Sequence, residues 1–275
     1  MNQIYSFDGI INWSAYLYSI TLMMFGLFKK SALPDRPLDA EMGKIIENNI
    51  QWLAGVFPDP QVHERKIFLP TEADFPIAWS GMEENARQVL SIVAEAMQLE
   101  QHLVVLEFYN NGMRELDMGS SVTFLEDDPD ETRAAGLYNE EDGKYHIALD
   151  IALLNRPDEL IAILAHELAH AKLLGELRME ENDEKLTDLA TVFFGFGIFG
   201  ANTAYQFSQS HDRWGYRTQG YFDEKEWAHA LAMMAFLRGE NDPEWAKHLT
   251  SQVRKFLRRS LAFLIANEKE ILGDK

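Results

Sequence analysis

"LIAILAHELAHAKLLG", residues 160–175, places His166, Glu167 and His170 in a run that is otherwise apolar and helical in its spacing. Ionisable groups are costly to bury without partners, so these three are either paired with one another or bound to something. On an α-helix, positions i and i+4 lie about 40° apart around the axis, and two imidazoles so placed can converge on one ion. Glu167 lies about 60° from His170, close enough to reach a water on that ion without binding it. The pattern H-E-x-x-H therefore supplies two nitrogen ligands and a general base.

A catalytic zinc takes a third protein ligand and keeps one position open. Thirteen residues separate His170 from Glu184, and "EKLTD" (184–188) then sets Glu184 and Asp188 at i, i+4 on a following helix. Glu184 can supply the third ligand. Asp188 can accept the outer ring N–H of a ligating histidine, His166 first, which fixes the tautomer and raises ligand basicity. The reverse assignment, with Asp188 on the metal, stays open. Glu176, Glu180 and Glu181 read as solvent-facing.

The active-site helix opens at "NRPDEL", with Asn155 or Arg156 as cap, Pro157 in the first turn and Asp158 and Glu159 where the helix dipole favours anions. Gly175 is the expected stop. Upstream, "AAGLY" (134–138) and "KYHIALDI" (144–151) flank an Asp142-Gly143 turn signal and predict a β-hairpin. In its second strand Tyr145, Ile147 and Leu149 face one way, while His146 faces solvent. "HLVVLEFY" (102–109) and "SSVTFLE" (120–126) read as further strands, and "KIFL" (66–69) as a short one. Amphipathic helices are predicted in 38–57, capped by Asp39, and in 82–100. Downstream, helices are expected over 183–205, 223–238 and 243–270, with Gly195, Gly197 and Gly200 marking close packing. Helices, then a small antiparallel sheet, then helices argue an α+β domain spanning 31–275.

"HELAH" followed by "EKLTD" resembles the gluzincin group of zinc metallopeptidases, whose second metal helix carries Glu-x-x-x-Asp. The nearest likeness is to the branch containing the CAAX prenyl proteases, in which a Gly-Tyr turn opens a further helix, as "QGYFDEKEW" (219–227) does here. The resemblance covers about residues 134–230. It implies a zincin-like fold, one Zn2+ per chain and hydrolysis of a peptide or protein substrate, with Glu167 passing a proton from water to the leaving amine. Strand 144–150 would then lie along the cleft, its edge open to an extended peptide. An oxyanion donor is sought after the second metal helix among His211, Arg213, Tyr216, Tyr221 and His229, with Tyr221 and His211 preferred.

Two other readings compete. Glu167-x-x-His170 and Glu226-x-x-His229 are paired E-x-x-H motifs which, with Glu184 as a further glutamate, suit a carboxylate-bridged di-iron site. That account leaves His166 without a role. Alternatively the same zinc scaffold serves a non-catalytic, regulatory protein, which would not need a base at Glu167.

Bulk properties bound the rest. There is no cysteine among 275 residues, so thiolate ligands, thiol nucleophiles and disulfides are excluded. A net charge of −19, with acidic runs at 125–131, 139–142 and 176–185, repels phosphate backbones and argues against a nucleic-acid partner. The uncharged stretch 9–28, followed by Lys29 and Lys30, is an apolar leader or an N-terminal helix. Membrane contact through it is the less favoured reading, diluted by Asn12, Ser14, Ser19 and Thr21; translation from Met24 would make it spurious. Either way the catalytic part is expected in the cytoplasm.

Overall fold

The structure is a computed structural model that describes residues 34–110, 136–209 and 222–273. Helix α1 (Ala40–Val56) begins at Asp39, whose carboxylate accepts from the amides of Glu41 and Met42. It buries Ile46, Ile50 and Leu53, one stripe at helical spacing. Helix α2 (Glu83–Ala96) does the same with Ala86, Val89, Leu90 and Val93. A short 3-10 turn leads into strand β1 (Val104–Tyr109).

Strands β2 (Gly136–Glu141) and β3 (Lys144–Asp150) form the expected hairpin. Asp142 and Gly143 turn it with φ of 51° and 72°, the left-handed pair that a two-residue turn requires. Tyr145, Ile147 and Leu149 are buried, and His146 sits half-buried on the opposite face beside Glu107.

Two expectations about this sheet need correcting. The sheet is mixed: β1 lies parallel to β3, with Val104 opposite Tyr145, while β2 is antiparallel to β3, with Tyr138 opposite Ile147. Hairpin turn chemistry marks only the β2–β3 pairing, and a parallel neighbour distant in sequence leaves no local signal. In the order β1-β3-β2, strand 144–150 is central and paired on both sides, so it cannot offer an edge. Among the described strands, the edge next to the histidine helix is β2.

Helix α3 (Pro157–His170) starts from Arg156 with Pro157 at its first position. From Ile163 to His170 every residue is buried, the pattern of a helix enclosed on all sides by α2, β2 and two later helices. It runs on through a wider π turn, Ala171–Glu176, in which Leu177 N–H donates to Lys172 O. Gly175 is thus not the stop; Arg178, at φ 56°, takes the left-handed position. Gly175 is small for another reason: a Cβ there would come within 2.4 Å of the Tyr145 ring from β3.

Helix α4 (Glu184–Phe193) is capped by Asp183, which accepts from Lys185 and Leu186 amides. The helix expected to continue to 205 breaks at Phe194–Phe196 and restarts as α5 (Gly197–Gln209). Gly195 has φ 94°, and a Cβ on it would fall 2.0 Å from Lys66 O. Phe68 N–H donates to Gly195 O at 2.9 Å. "KIFL" is therefore not a strand; it meets a helix break, and a single backbone bond cannot be continued into a ladder. Gly200 lies against the Trp227 indole, as its close-packing reading implied.

Helix α6 (Glu224–Leu237) opens with a capping box between Asp223 and Glu226. The helix expected over 243–270 is three pieces: a 3-10 turn Glu244–His248, α7 (Ser251–Ala266) capped by Thr250, and α8 (Glu268–Leu272). The described elements belong to one compact unit, Asp35–Lys275, with α3 and α4 at its centre. No described helix is long and apolar enough to cross a membrane. Stretches 9–28 and 120–126 lie outside the described residues.

Candidate metal centre

The helix α3 brings His166 and His170 side by side, and α4 brings Glu184 to meet them. One ligand atom from each lies within 4.8 Å of the other two, so the group could hold a metal ion. The two imidazole Nε2 atoms face each other at 3.1 Å. Glu184 Oε2 sits 3.0 Å from His166 Nε2 and 3.5 Å from His170 Nε2. Its other oxygen, Oε1, accepts from Asn182 Nδ2 at 2.9 Å, which leaves only Oε2 for the centre.

Each histidine is held from behind. His166 Nδ1–H donates to Asp188 Oδ1 at 3.0 Å, and Asp188 Oδ2 accepts from the Phe222 backbone N–H at 3.1 Å. Asp188 thus lies behind His166, outside the ligand group, and the reverse assignment does not hold. His170 Nδ1 lies 3.3 Å from Thr187 Oγ1, a partner the sequence reading missed. Glu184, Thr187 and Asp188 fall at i, i+3 and i+4, so one turn of α4 presents all three to the histidine helix. Tyr138 from β2, also missed, stacks over His170 with ring centroids 5.8 Å apart. Burial and then the nearby Glu140 push its phenol pKa well up.

The electrostatics follow from this crowd of acceptors. Burial alone would lower the His166 pKa, but the hydrogen bonds to Asp188 and Glu184 outweigh it and hold the ring up at about 10. Burial would raise Glu184, yet the two imidazoles hold it well below the usual carboxylate range. Taken together, both shifts describe a cluster that draws positive charge. Glu167, 4% exposed, has its pKa raised by burial, against the pull of His166 and His170 and with that of Glu184. The ligand histidines are bonded instead to Asp188, Glu184, Thr187 and each other.

The donor set suits a divalent cation of intermediate softness: two nitrogens and one carboxylate oxygen, with three protein ligands leaving room for a further one. The second E-x-x-H pair is not part of it. Glu226 bonds Lys185 and the Asp223 amide, and His229, fully buried, bonds Glu47 at 2.8 Å. With both groups committed elsewhere, the di-iron reading loses one of its two E-x-x-H pairs, and His229 is no oxyanion donor. The other oxyanion candidates, His211, Arg213, Tyr216 and Tyr221, lie outside the described residues. Glu176, Glu180 and Glu181 are exposed, as expected. Comparison with protein-family models, with curated proteins and with solved structures finds no match.

Proposed function

We propose that this chain is a zinc-dependent peptidase of the zincin type, with Zn2+ held by His166, His170 and Glu184 and with Glu167 as general base. The observation that carries the reading is the convergence of those three ligand atoms beside a buried carboxylate that ligates nothing. A purely structural site has no use for that carboxylate, and structural zinc sites are closed by four protein ligands.

When bound, zinc supplies Lewis-acid polarisation of a carbonyl and makes water more acidic. The chain's own residues do the remainder. Asp188 and Thr187 orient the two imidazoles, and Asn182 turns Glu184. Glu167 accepts the proton of the attacking water and returns it to the departing amine. Its burial favours the first step, since a carboxylate whose pKa is raised by burial accepts a proton more readily. The peptide would add by main-chain pairing to the edge of β2 that pairs with no described strand; β2 carries Tyr138 beside the histidines.

The test is elemental analysis of the purified chain together with cleavage of a peptide library by the parent and by Glu167→Gln. One zinc per chain is expected in both, with the variant slower by about 100-fold or more. Absence of metal, or equal cleavage by the variant, overturns the reading. Zinc without any cleavage by either would leave a regulatory zinc protein.

A further inference from the structure

We infer that Thr187 is a positioning residue for the metal centre, one that sets the tautomer of His170 and so points its Nε2 lone pair at the ion. The inference rests on the metal site proposed above and goes beyond it by assigning a residue that neither ligates nor moves a proton.

The argument is one of counting hydrogens. Thr187 Oγ1 lies 3.0 Å from Asp183 O and 3.3 Å from His170 Nδ1. A backbone carbonyl can only accept, so the single hydroxyl hydrogen of Thr187 goes to Asp183 O. Toward His170 the hydroxyl then has only lone pairs, and the contact at Nδ1 needs a hydrogen supplied by the ring. A neutral imidazole carries one N–H, so Nε2 is left bare and faces His166 and Glu184. For His166 the Asp188 carboxylate imposes the same tautomer by a more familiar route. Both outer contacts come from adjacent residues of α4, while the ligand Glu184 lies one turn before them.

A hydroxyl back-bonded to the preceding helical turn is common in helix interiors and need mean nothing beyond the helix. Thr203 in α5 supplies the comparison: it is buried too, and its Oγ1 bonds only carbonyls of the preceding turn among the described residues, Phe199 O at 2.9 Å and Gly200 O at 3.1 Å. What sets Thr187 apart is the ligand imidazole on its remaining lone pairs.

The test uses the full chain, with zinc as the probe. Three variants are compared with the parent: Thr187→Val, which keeps shape and loses the hydroxyl; Thr187→Ser, which keeps the hydroxyl; and Thr203→Val as control. Zinc affinity is read by chelator competition, and the His170 tautomer by ring 15N shifts in the metal-free protein. Expected are a proton on Nδ1 of His170 in the parent and in Thr187→Ser, and a loss of about 10–100-fold in affinity for Thr187→Val. Thr187→Ser should restore most of that affinity, and Thr203→Val should bind zinc as the parent does. A parent with the His170 proton on Nε2, or a Thr187→Val protein that binds zinc as tightly as the parent, overturns the inference. The tautomer is read on the parent alone, so the inference stays open to refutation even if Thr187→Val fails to fold. Tight zinc binding without peptidase activity would refute the proposed reaction while supporting this assignment.

Discussion

Two buried histidines in this molecule each bond a carboxylate, and they do opposite things. His229 in α6 gives its Nε2–H to Glu47 of α1, and Glu47 also takes two bonds from Arg36 Nη2, at 2.9 and 3.1 Å. Arg36 lies across Gly43 and over the Phe263 ring, so cation, anion and neutral imidazole close on themselves with no net charge. Around His166 the balance is different. Two imidazoles, the ligand Glu184, Asp188 and Glu167 gather there, and the hydrogen bonds of the three carboxylates and two rings involve no lysine or arginine among the described residues. Burial dominates at His229 and lowers its pKa, whereas hydrogen bonds to carboxylates dominate at His166 and raise it. A polar cluster that supplies its own counter-charge is architecture. Around His166 one ligand atom from each of three residues instead converges within 4.8 Å of the other two, and that convergence, rather than the H-E-x-x-H string alone, is the physical case for a cation.

Removing one carboxylate from each cluster gives the largest expected separation. Glu47→Ala leaves Arg36 buried without its partner and should cost about 3–5 kcal/mol of stability by urea denaturation, with one zinc per chain retained. Glu184→Ala should lose the metal, together with the stabilisation zinc gives the parent. If Glu47→Ala lost zinc, or Glu184→Ala kept it, the division into a closed and an open cluster would be wrong.

The two clusters were not equally legible in the sequence. His166, Glu167, His170, Glu184 and Asp188 could be read because helical periodicity puts all five within reach of one point, and short-range geometry is what a sequence states best. Thr187 was invisible although it sits inside the quoted "EKLTD", because its role depends on the rotation of α4 against α3. Arg36 and Glu47 stand 11 residues apart, but His229 lies 182 residues beyond Glu47, so the trio makes sense only after α1 and α6 pack. The cap at Asp39, the helix starts beside Arg156 and Asp183 and the Asp142-Gly143 turn were local and legible. The break at Gly195 was not, since "VFFGFGIFG" is apolar on every face and carries no phase. What decides that break is Lys66 O, a backbone atom from more than a hundred residues upstream.

A smaller effect separates the clusters by pH, in protein stripped of metal with a chelator. The His229 pKa is lowered in the folded state, so the unfolded chain binds its proton first. Its stability contribution is therefore present above the unfolded value near 6.5 and is lost as the pH falls through the depressed folded value. One proton gives a slope of at most about 1.4 kcal/mol per pH unit. His229→Gln keeps an N–H donor for Glu47 but cannot titrate, and it should flatten this part of the acid limb in urea midpoints measured between pH 7 and 4. An unchanged slope would show that His229 is not the neutral closing member of its cluster.

The smallest expected effect concerns reach. Among the described residues the closed cluster bonds one backbone group, Ala40 O, which accepts from Arg36, and zinc should leave it unmoved. From the metal centre, by contrast, one chain of bonds runs outward through α4 to the start of α6, from His166 Nδ1–H to Asp188 Oδ1 and from Asp188 Oδ2 to the Phe222 amide. Fixing His166 on an ion fixes the carboxylate behind it and, through that, the amide. The link is one hydrogen bond to a charged group, worth about 1.5–3 kcal/mol at most, and only part of it changes on metal binding. Zinc should therefore slow hydrogen exchange at Phe222 by several-fold, roughly 3–10, while the Phe68 amide, bonded to Gly195 O far along the chain from any ligand, keeps its rate. Asp188→Asn cannot accept at both ends, so the zinc effect on Phe222 should vanish in it. Equal slowing at Phe68 and Phe222 would mean that zinc tightens the whole fold rather than this one path, and the distinction between an enclosed cluster and a connected one would fall.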